Sequence, residues 1–188
     1  ILHEFKHKAY VISVKVDGTS GTFYINRNEF GVCSRNLELK FDENNSFWRI
    51  ANKYDIENKL KIHFPNKNIA LQGEVFGPGI QGNLLGADEI SFAAFNLFDI
   101  DAQTYLNHSE LSEFTNSTNI PMVKILEIGG SFEYTLNELQ EMANSLTYIN
   151  GNLAEGIVIR PLIETQSLVL NGRLSGKIIS EQFELKYA

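Results

Sequence analysis

Apolar and polar residues alternate through the first third of the chain in the manner of half-buried strands. Tyr10 to Val16 is rich in β-branched residues and runs into the turn-forming cluster Asp17-Gly18-Thr19-Ser20-Gly21, after which Thr22 to Ile25 resumes the extended pattern. This predicts a hairpin with Lys15 near its tip, followed by a third short strand around Gly31-Val32-Cys33. The period then becomes helical: Trp48, Ile56, Leu60 and Phe64 form one apolar stripe over residues 46–63, closed by Pro65, with Trp48 expected in the core. Ile69 to Phe76 and Ile90 to Ile100 predict two buried strands, separated by the Gly-rich segment 77–83. Residues 102–119 are polar and predict a short helix near 109–114; Pro121 to Ile128 predicts another strand. Thr135, with Glu138 three residues later, spells a capping box opening a helix whose apolar face is Leu136, Leu139, Met142, Ala143 and Leu146. From Gly156 to Tyr187 the pattern returns to strands, broken by a turn at Asn171-Gly172. Mostly antiparallel strands with helices set between them predict an α+β fold rather than a doubly wound parallel sheet.

A length of 188 residues suits a single domain over 1–188 with one substantial core. Apolar and charged fractions of 43% and 21% exclude a disordered or coiled-coil chain. The formal net charge of −7 excludes the electrostatic footprint of a protein that coats duplex, so any nucleic-acid contact must be local. One cysteine, Cys33, cannot form an intramolecular disulfide, and with four scattered His it offers no zinc-site spacing. That usage points to a reducing, intracellular compartment. With no run of about 20 apolar residues, no membrane partner is expected.

Four segments carry candidate chemistry. In Lys15-Val16-Asp17-Gly18, strand periodicity puts Lys15 and Asp17 on one face, and Gly18 lets the backbone approach a ligand. Taken alone, this is also how a surface hairpin with a cross-turn ion pair would read. Glu74 interrupts the apolar run Leu71 to Phe76 and needs a polar partner, because burying an unpaired carboxylate is expensive. Glu155 precedes Gly156 and three aliphatic residues. Lys177 and Lys186 are read as embedded in terminal strands, where lysines also serve as edge protection. A fifth group, Lys53, Lys59, Lys61 and Lys67, reads as a solvated helix face rather than a basic groove.

Taken together, Lys15-x-Asp17-Gly18, Ser34-Arg35-Asn36, the Gly73-Glu74-x-x-Gly77 strand, Phe95-x-x-Phe98-Asp99, Glu155-Gly156-x-Val158-x-Arg160 and the lysine-bearing terminus follow the motif order of the covalent nucleotidyltransferases. These are the ATP-dependent RNA and DNA ligases and the mRNA capping enzymes. Within that superfamily the chain most resembles the RNA ligase 2-like and related RNA ligases, on Lys15-Val16-Asp17-Gly18-Thr19-Ser20, Phe95-Asn96 and the run 74–83, from about Ala9 to Tyr187. The resemblance implies a nucleotidyltransferase (ATP-grasp-like ligase) domain of mostly antiparallel sheets with flanking helices and a nucleotide pocket between the sheets. It implies that Lys15 attacks the α-phosphorus of ATP to form a covalent lysyl-AMP. The amine must be neutral to attack, which burial or nearby cations (Lys177, Lys186, a metal) would favour.

It further implies that Asp17, Glu155, Lys177 and Lys186 act in catalysis and that Val16 and Gly18 line the nucleotide. Glu74 would bind the ribose hydroxyls, Arg35 the ribose or a phosphate, and Glu155 a hydrated Mg²⁺ or Mn²⁺. Phe95 is the ring expected on adenine; by period 2, Phe92 and Phe98 share one strand face and Phe95 takes the other. Many relatives carry Glu before the nucleophile, where this chain has Val14, so reading of adenine would fall to backbone groups or to residues elsewhere, and GTP or another nucleotide is less firmly excluded. The implied partners are RNA ends, a 5′-phosphate and a 3′-hydroxyl, including those of a nicked duplex, joined by a monomer in RNA repair. Such ligases append an OB-fold or helical module, so the chain is expected to be the adenylyltransferase domain of a longer ligase. The alternatives are a DNA ligase or capping-type nucleotidyltransferase, and a non-catalytic nucleotide- or nucleic-acid-binding module.

Overall fold

The computed structural model describes residues 1–187. Along the chain the elements run α1 (Leu2–Phe5), β1 (Tyr10–Lys15), β2 (Thr19–Asn26), β3 (Glu29–Cys33), α2 (Ser46–Lys53), α3 (Ile56–His63), β4 (Ile69–Phe76), β5 (Ser91–Asp99) and β6 (Thr104–Tyr105). They continue with α4 (His108–Thr118), β7 (Ile125–Gly129), α5 (Leu136–Ser145), β8 (Gly156–Pro161), β9 (Gln166–Ser167), β10 (Gly172–Arg173), β11 (Gly176–Ile179) and α6 (Glu181–Tyr187). All strand pairs are antiparallel, and the fold is α+β. The residues form two compact units, one of 1–17, 84–86 and 123–187, the other of 18–83 and 87–122.

The first unit is built on a sheet of order β11-β8-β1-β7. Tyr10, Ile12, Ile157 and Ile159 bury one face of it with Phe5, Phe132, Leu139 and Ala143, so α5 packs through most of the expected stripe, with Met142 and Leu146 beside it, whereas Leu136, in the first turn, is exposed. Thr135 accepts from the Glu138 N–H at 3.3 Å while Glu138 accepts from the Thr135 N–H at 2.8 Å, completing the expected capping box. The opposite face carries Val11, Ser13 and Lys15 on β1, Val158 and Arg160 on β8, and Lys177 on β11, because directly paired residues of antiparallel strands share a side.

The expected hairpin of Tyr10–Val16 with Thr22–Ile25 does not form. β1 lies between β7 and β8, which occupy both its edges, and its near-continuous burial suits a central strand. β2 instead pairs with β3 and β4 in the second unit. The turn joining β2 to β3 is made by Arg27 and Asn28, both at positive φ.

The second unit has a sheet of order β3-β2-β4-β5-β6. Phe23, Ile25, Val32, Ile69, Leu71, Val75, Phe92, Ala94 and Leu97 face a core closed by Ile50, Ile56, Leu60, Leu111 and Phe114 from the helices. Each fully buried residue of this size contributes about 1.5–3 kcal/mol. Trp48 packs against this core, as expected, and its indole N–H donates to the Leu39 carbonyl at 3.2 Å. The single helix expected over 46–63 is two: Asp55 adopts the left-handed conformation at φ 50°, which a short polar side chain tolerates, and this interrupts the ladder between α2 and α3. The helix expected near 109–114 is longer, reaching Thr118 from an Asn107–Glu110 capping box. Lys53 pairs with Glu89 at 2.7 Å and Lys61 with Glu57 one turn away, so both work as surface ion pairs.

The terminal strand expected around Lys186 is helix α6. Ser180 is its cap, with its hydroxyl accepting from the Phe183 N–H at 3.2 Å and its carbonyl from the Glu184 N–H at 3.0 Å, and Glu181 and Glu184 lie in the first turn. Among the described residues no helix is long and apolar enough to cross a membrane.

Candidate active site

In the first unit, β1 ends at Lys15 and the chain turns through Val16 to Asp17. β8 begins at Gly156, directly opposite Lys15, so Glu155 is carried to the same end of the sheet. The Lys15 ammonium and the Glu155 carboxylate form an ion pair whose side chains are only 22% and 20% exposed, so water screens it less than an ordinary surface pair. Asp17 is the third charge there. Burial, and then the negative charge of Glu155, push its carboxyl above the usual carboxylate range, against the pull of Lys15. An amine, a counter-carboxylate and a second carboxylate held in an unfavourable environment thus share one corner.

Gly156 makes the corner possible. Its φ is +151°, and a Cβ there would stand 2.0 Å from the Ile178 carbonyl oxygen on β11. Only glycine lets β11 come this close. β11 in turn presents Lys177, which lies on the same sheet face as Lys15, two strands away and one pleat repeat along. Strand spacings put their Cα atoms about 12 Å apart, within joint reach of a triphosphate spanned by two extended lysines. Lys186, by contrast, sits on α6 with its ammonium 4.9 Å from the Tyr187 ring centroid, and is not a strand neighbour of Lys15.

The elevated Asp17 carboxyl has a thermodynamic sign. In the unfolded chain it titrates in the ordinary range, so above that range the folded state bears a penalty that vanishes at low pH, where Asp17 is protonated in both states. Asp17→Asn is expected to melt higher than the parent at pH 7, by about 2–4 °C per kcal/mol relieved. The gap should close as pH falls below the ordinary carboxylate range. A gap independent of pH in thermal melts would show that Asp17 bears no such penalty.

In the second unit, Glu74 sits at the middle of β4 on the face turned away from the core, opposite Ser20 of β2 and Ala93 of β5. Gly18 begins the unit against it: a Cβ at Gly18 would lie 2.5 Å from the Val75 carbonyl oxygen and 2.9 Å from the Glu74 Cγ. The Gly18 carbonyl accepts from the Gln81 amide at 3.3 Å, which brings the Gly-rich segment after β4 to the same place. Arg35 is exposed in a turn after β3, closed by the Ser34 N–H donating to the Leu37 carbonyl at 2.9 Å.

The register of β5 corrects the period-2 reading of its phenylalanines. Gln72 pairs with Asn96 and Gly73 with Ala94, so Phe95 is the extra residue of a β-bulge. The bulge inverts the alternation. Phe92, Ala94 and Leu97 face the core, whereas Asn96 meets Gln72 on the outer face, its amide donating at 3.1 Å, and Phe98 falls on that outer face too, edge-on to Tyr105. Phe92 and Phe98 therefore lie on opposite faces. Phe92, 1% exposed, is core, and the half-buried Phe95 lies between the core-facing Ala94 and the outward Asn96.

One residue of this region carried no signal in the sequence. Tyr148, in the turn between α5 and β8, accepts from the backbone N–H groups of Asp17 at 3.0 Å and Glu155 at 3.3 Å and donates to the Lys15 carbonyl at 3.1 Å. Burial pushes its phenol up to about 12. Lying 133 residues from Lys15, it could be found only in three dimensions.

A family model described as RNA ligase matches residues 8–179. Among solved structures, a mutant of Naegleria gruberi RNA ligase with ATP and Mn is 31% identical at a TM-score of 0.86, over 99% of this chain and 53% of that one. The Naegleria gruberi ligase with PPi is 32% identical at 0.86 over the same shares. Another mutant with AMP and Mn is 31% identical at 0.85, over 98% and 53%. The chain thus spans about half the length of these ligases. No curated protein matches it.

Proposed function

Because the chain belongs to the RNA ligase family, we propose that it performs the nucleotidyl-transfer chemistry of an ATP-dependent RNA ligase, with Lys15 as the nucleophile. The observation that carries this reading is the corner formed by Lys15, Asp17 and Glu155, with Lys177 on the same sheet face. The neutral Lys15 amine attacks the α-phosphorus of ATP; a P–N bond forms as the bond to pyrophosphate breaks, and the proton lost from the nitrogen passes to solvent. Lys177 holds phosphate charge as a point cation. Glu74 takes the ribose hydroxyls, Arg35 the ribose or an RNA phosphate, and Phe95 the adenine, with Val16 and Gly18 against the nucleotide. AMP then passes to an RNA 5′-phosphate as the P–N bond breaks and an anhydride forms, and a 3′-hydroxyl displaces AMP to seal the strand. Lys186, on α6, would meet phosphate by the family pattern.

The donors suit a hard divalent cation. Among the described residues no three His, Cys, Asp or Glu gather into a protein cage, and Mg²⁺ characteristically takes one or two carboxylates plus phosphates. Glu155 would hold it, with Asp17 nearby. Bound there, Mg²⁺ or Mn²⁺ would supply neutralisation of phosphate charge, and a Glu155 carboxylate engaged with it would leave the Lys15 amine free to lose its proton.

The decisive experiment is the intact mass of the purified chain after incubation with ATP and Mg²⁺, beside GTP and metal-free controls. A gain of one AMP that needs metal and reverses with pyrophosphate is expected. A GMP adduct in its place would favour a capping-type enzyme. No adduct from a folded, AMP-free chain would leave a binding module.

A further inference from the structure

We propose that Tyr148 is a positioning residue for nucleotidyl transfer, its one hydroxyl locking the backbone of the nucleophile segment to that of the carboxylate segment. The inference rests on Lys15 being the nucleophile. Lys15 closes β1 and Glu155 precedes β8; beyond the last ladder pair, Lys15 with Gly156, no strand hydrogen bond holds the two segments together. The Tyr148 hydroxyl replaces that ladder. It takes the Asp17 and Glu155 N–H groups and gives its own hydrogen to the Lys15 carbonyl, so all three of its hydrogen-bonding positions are used on backbone of the residues that carry the chemistry.

The ring itself is held firmly. It is buried with Val14 and Ala154 among Leu84, Leu85, Leu126 and Leu146. Its backbone belongs to a short hairpin in which the Tyr148 N–H donates to the Asn152 carbonyl at 2.8 Å and the Gly151 N–H to the Tyr148 carbonyl at 2.9 Å. Asn150 and Asn152 pin that hairpin by donating, both at 2.9 Å, to the Leu84 carbonyl. A rigid donor and acceptor thus sets the separation of the amine and carboxylate through the backbone that carries them. Reaction geometry is sensitive to such support: a misplacement of about 1 Å can cost on the order of 10²-fold in rate.

Tyr148→Phe keeps the ring and removes only the hydroxyl. Its rate of lysyl-AMP formation at saturating ATP is expected to fall about 30–100-fold, with the ATP KM within about twofold of the parent. Tyr134→Phe is the control, since it deletes another hydroxyl of the same unit, one that donates to Glu127 at 2.7 Å; it should lower the melting midpoint but leave the rate alone. Amide hydrogen exchange at Asp17 and Glu155 should accelerate in Tyr148→Phe. A Tyr148→Phe rate within twofold of the parent, or a loss matched by Tyr134→Phe, overturns the proposal. If the parent itself forms no adduct, the nucleophile reading falls separately. Exchange at the two amides then decides whether Tyr148 holds the segments together, faster exchange supporting the lock and unchanged exchange refuting it.

Discussion

Lys15→Ala is expected to bind ATP and to take up no AMP at any metal concentration. The other lysine on that sheet face, Lys177, starts from a Cα about 12 Å away, too far to attack a phosphorus placed for Lys15. The loss should therefore be complete rather than partial, because covalent catalysis has no residual route once the nucleophile is gone. The substitution also leaves Glu155 without its counter-ion beside Asp17. With both members of the pair only about one-fifth exposed, the expected destabilisation is on the order of 1–2 kcal/mol, between the exposed and the fully buried cases. The chain should remain folded at room temperature, so intact mass and nucleotide binding can be read on one sample. AMP labelling that persists in Lys15→Ala would remove Lys15 from the role.

Glu155→Gln should slow AMP uptake by about 10²–10³-fold and raise the divalent metal concentration needed for half-maximal rate. Glutamine preserves the shape of the side chain and leaves the backbone N–H that Tyr148 accepts, so the effect isolates the charge. Two consequences should travel together. The Lys15 ammonium loses its ion-pair partner, and Asp17 loses the second cause of its elevation, so its carboxyl should titrate lower. Rates measured across a metal titration separate the readings: an unchanged metal requirement with a normal maximal rate would make Glu155 a structural partner of Lys15 only.

Local chemistry was legible wherever a short stretch decides its own conformation. The capping box at Thr135 and Glu138, the apolar stripe of α5 and the strands β4 and β5 needed no distant partner, and the motif residues Lys15, Glu74 and Glu155 stood out as charges set against apolar runs. Ser180 followed by acidic residues was an available helix signal for α6 that the lysine pattern of the terminus obscured. The break at Asp55 was harder, since the apolar stripe continues across it.

The amino-acid sequence by itself determined most of the extended and helical segments, much of the buried face of each and which residue types stand ready for nucleotidyl transfer, because propensity, capping and period act over a few residues. Tertiary structure alone decided that β1 pairs with β7 and β8 rather than with β2, that the bulge at Phe95 sends Phe92 and Phe98 to opposite faces, and that Tyr148 reaches the backbone of Lys15, Asp17 and Glu155. Each of these depends on how neighbouring strands pair, or on a hydrogen bond across more than a hundred residues. Such choices are made by packing the whole unit and leave no periodic trace along the chain.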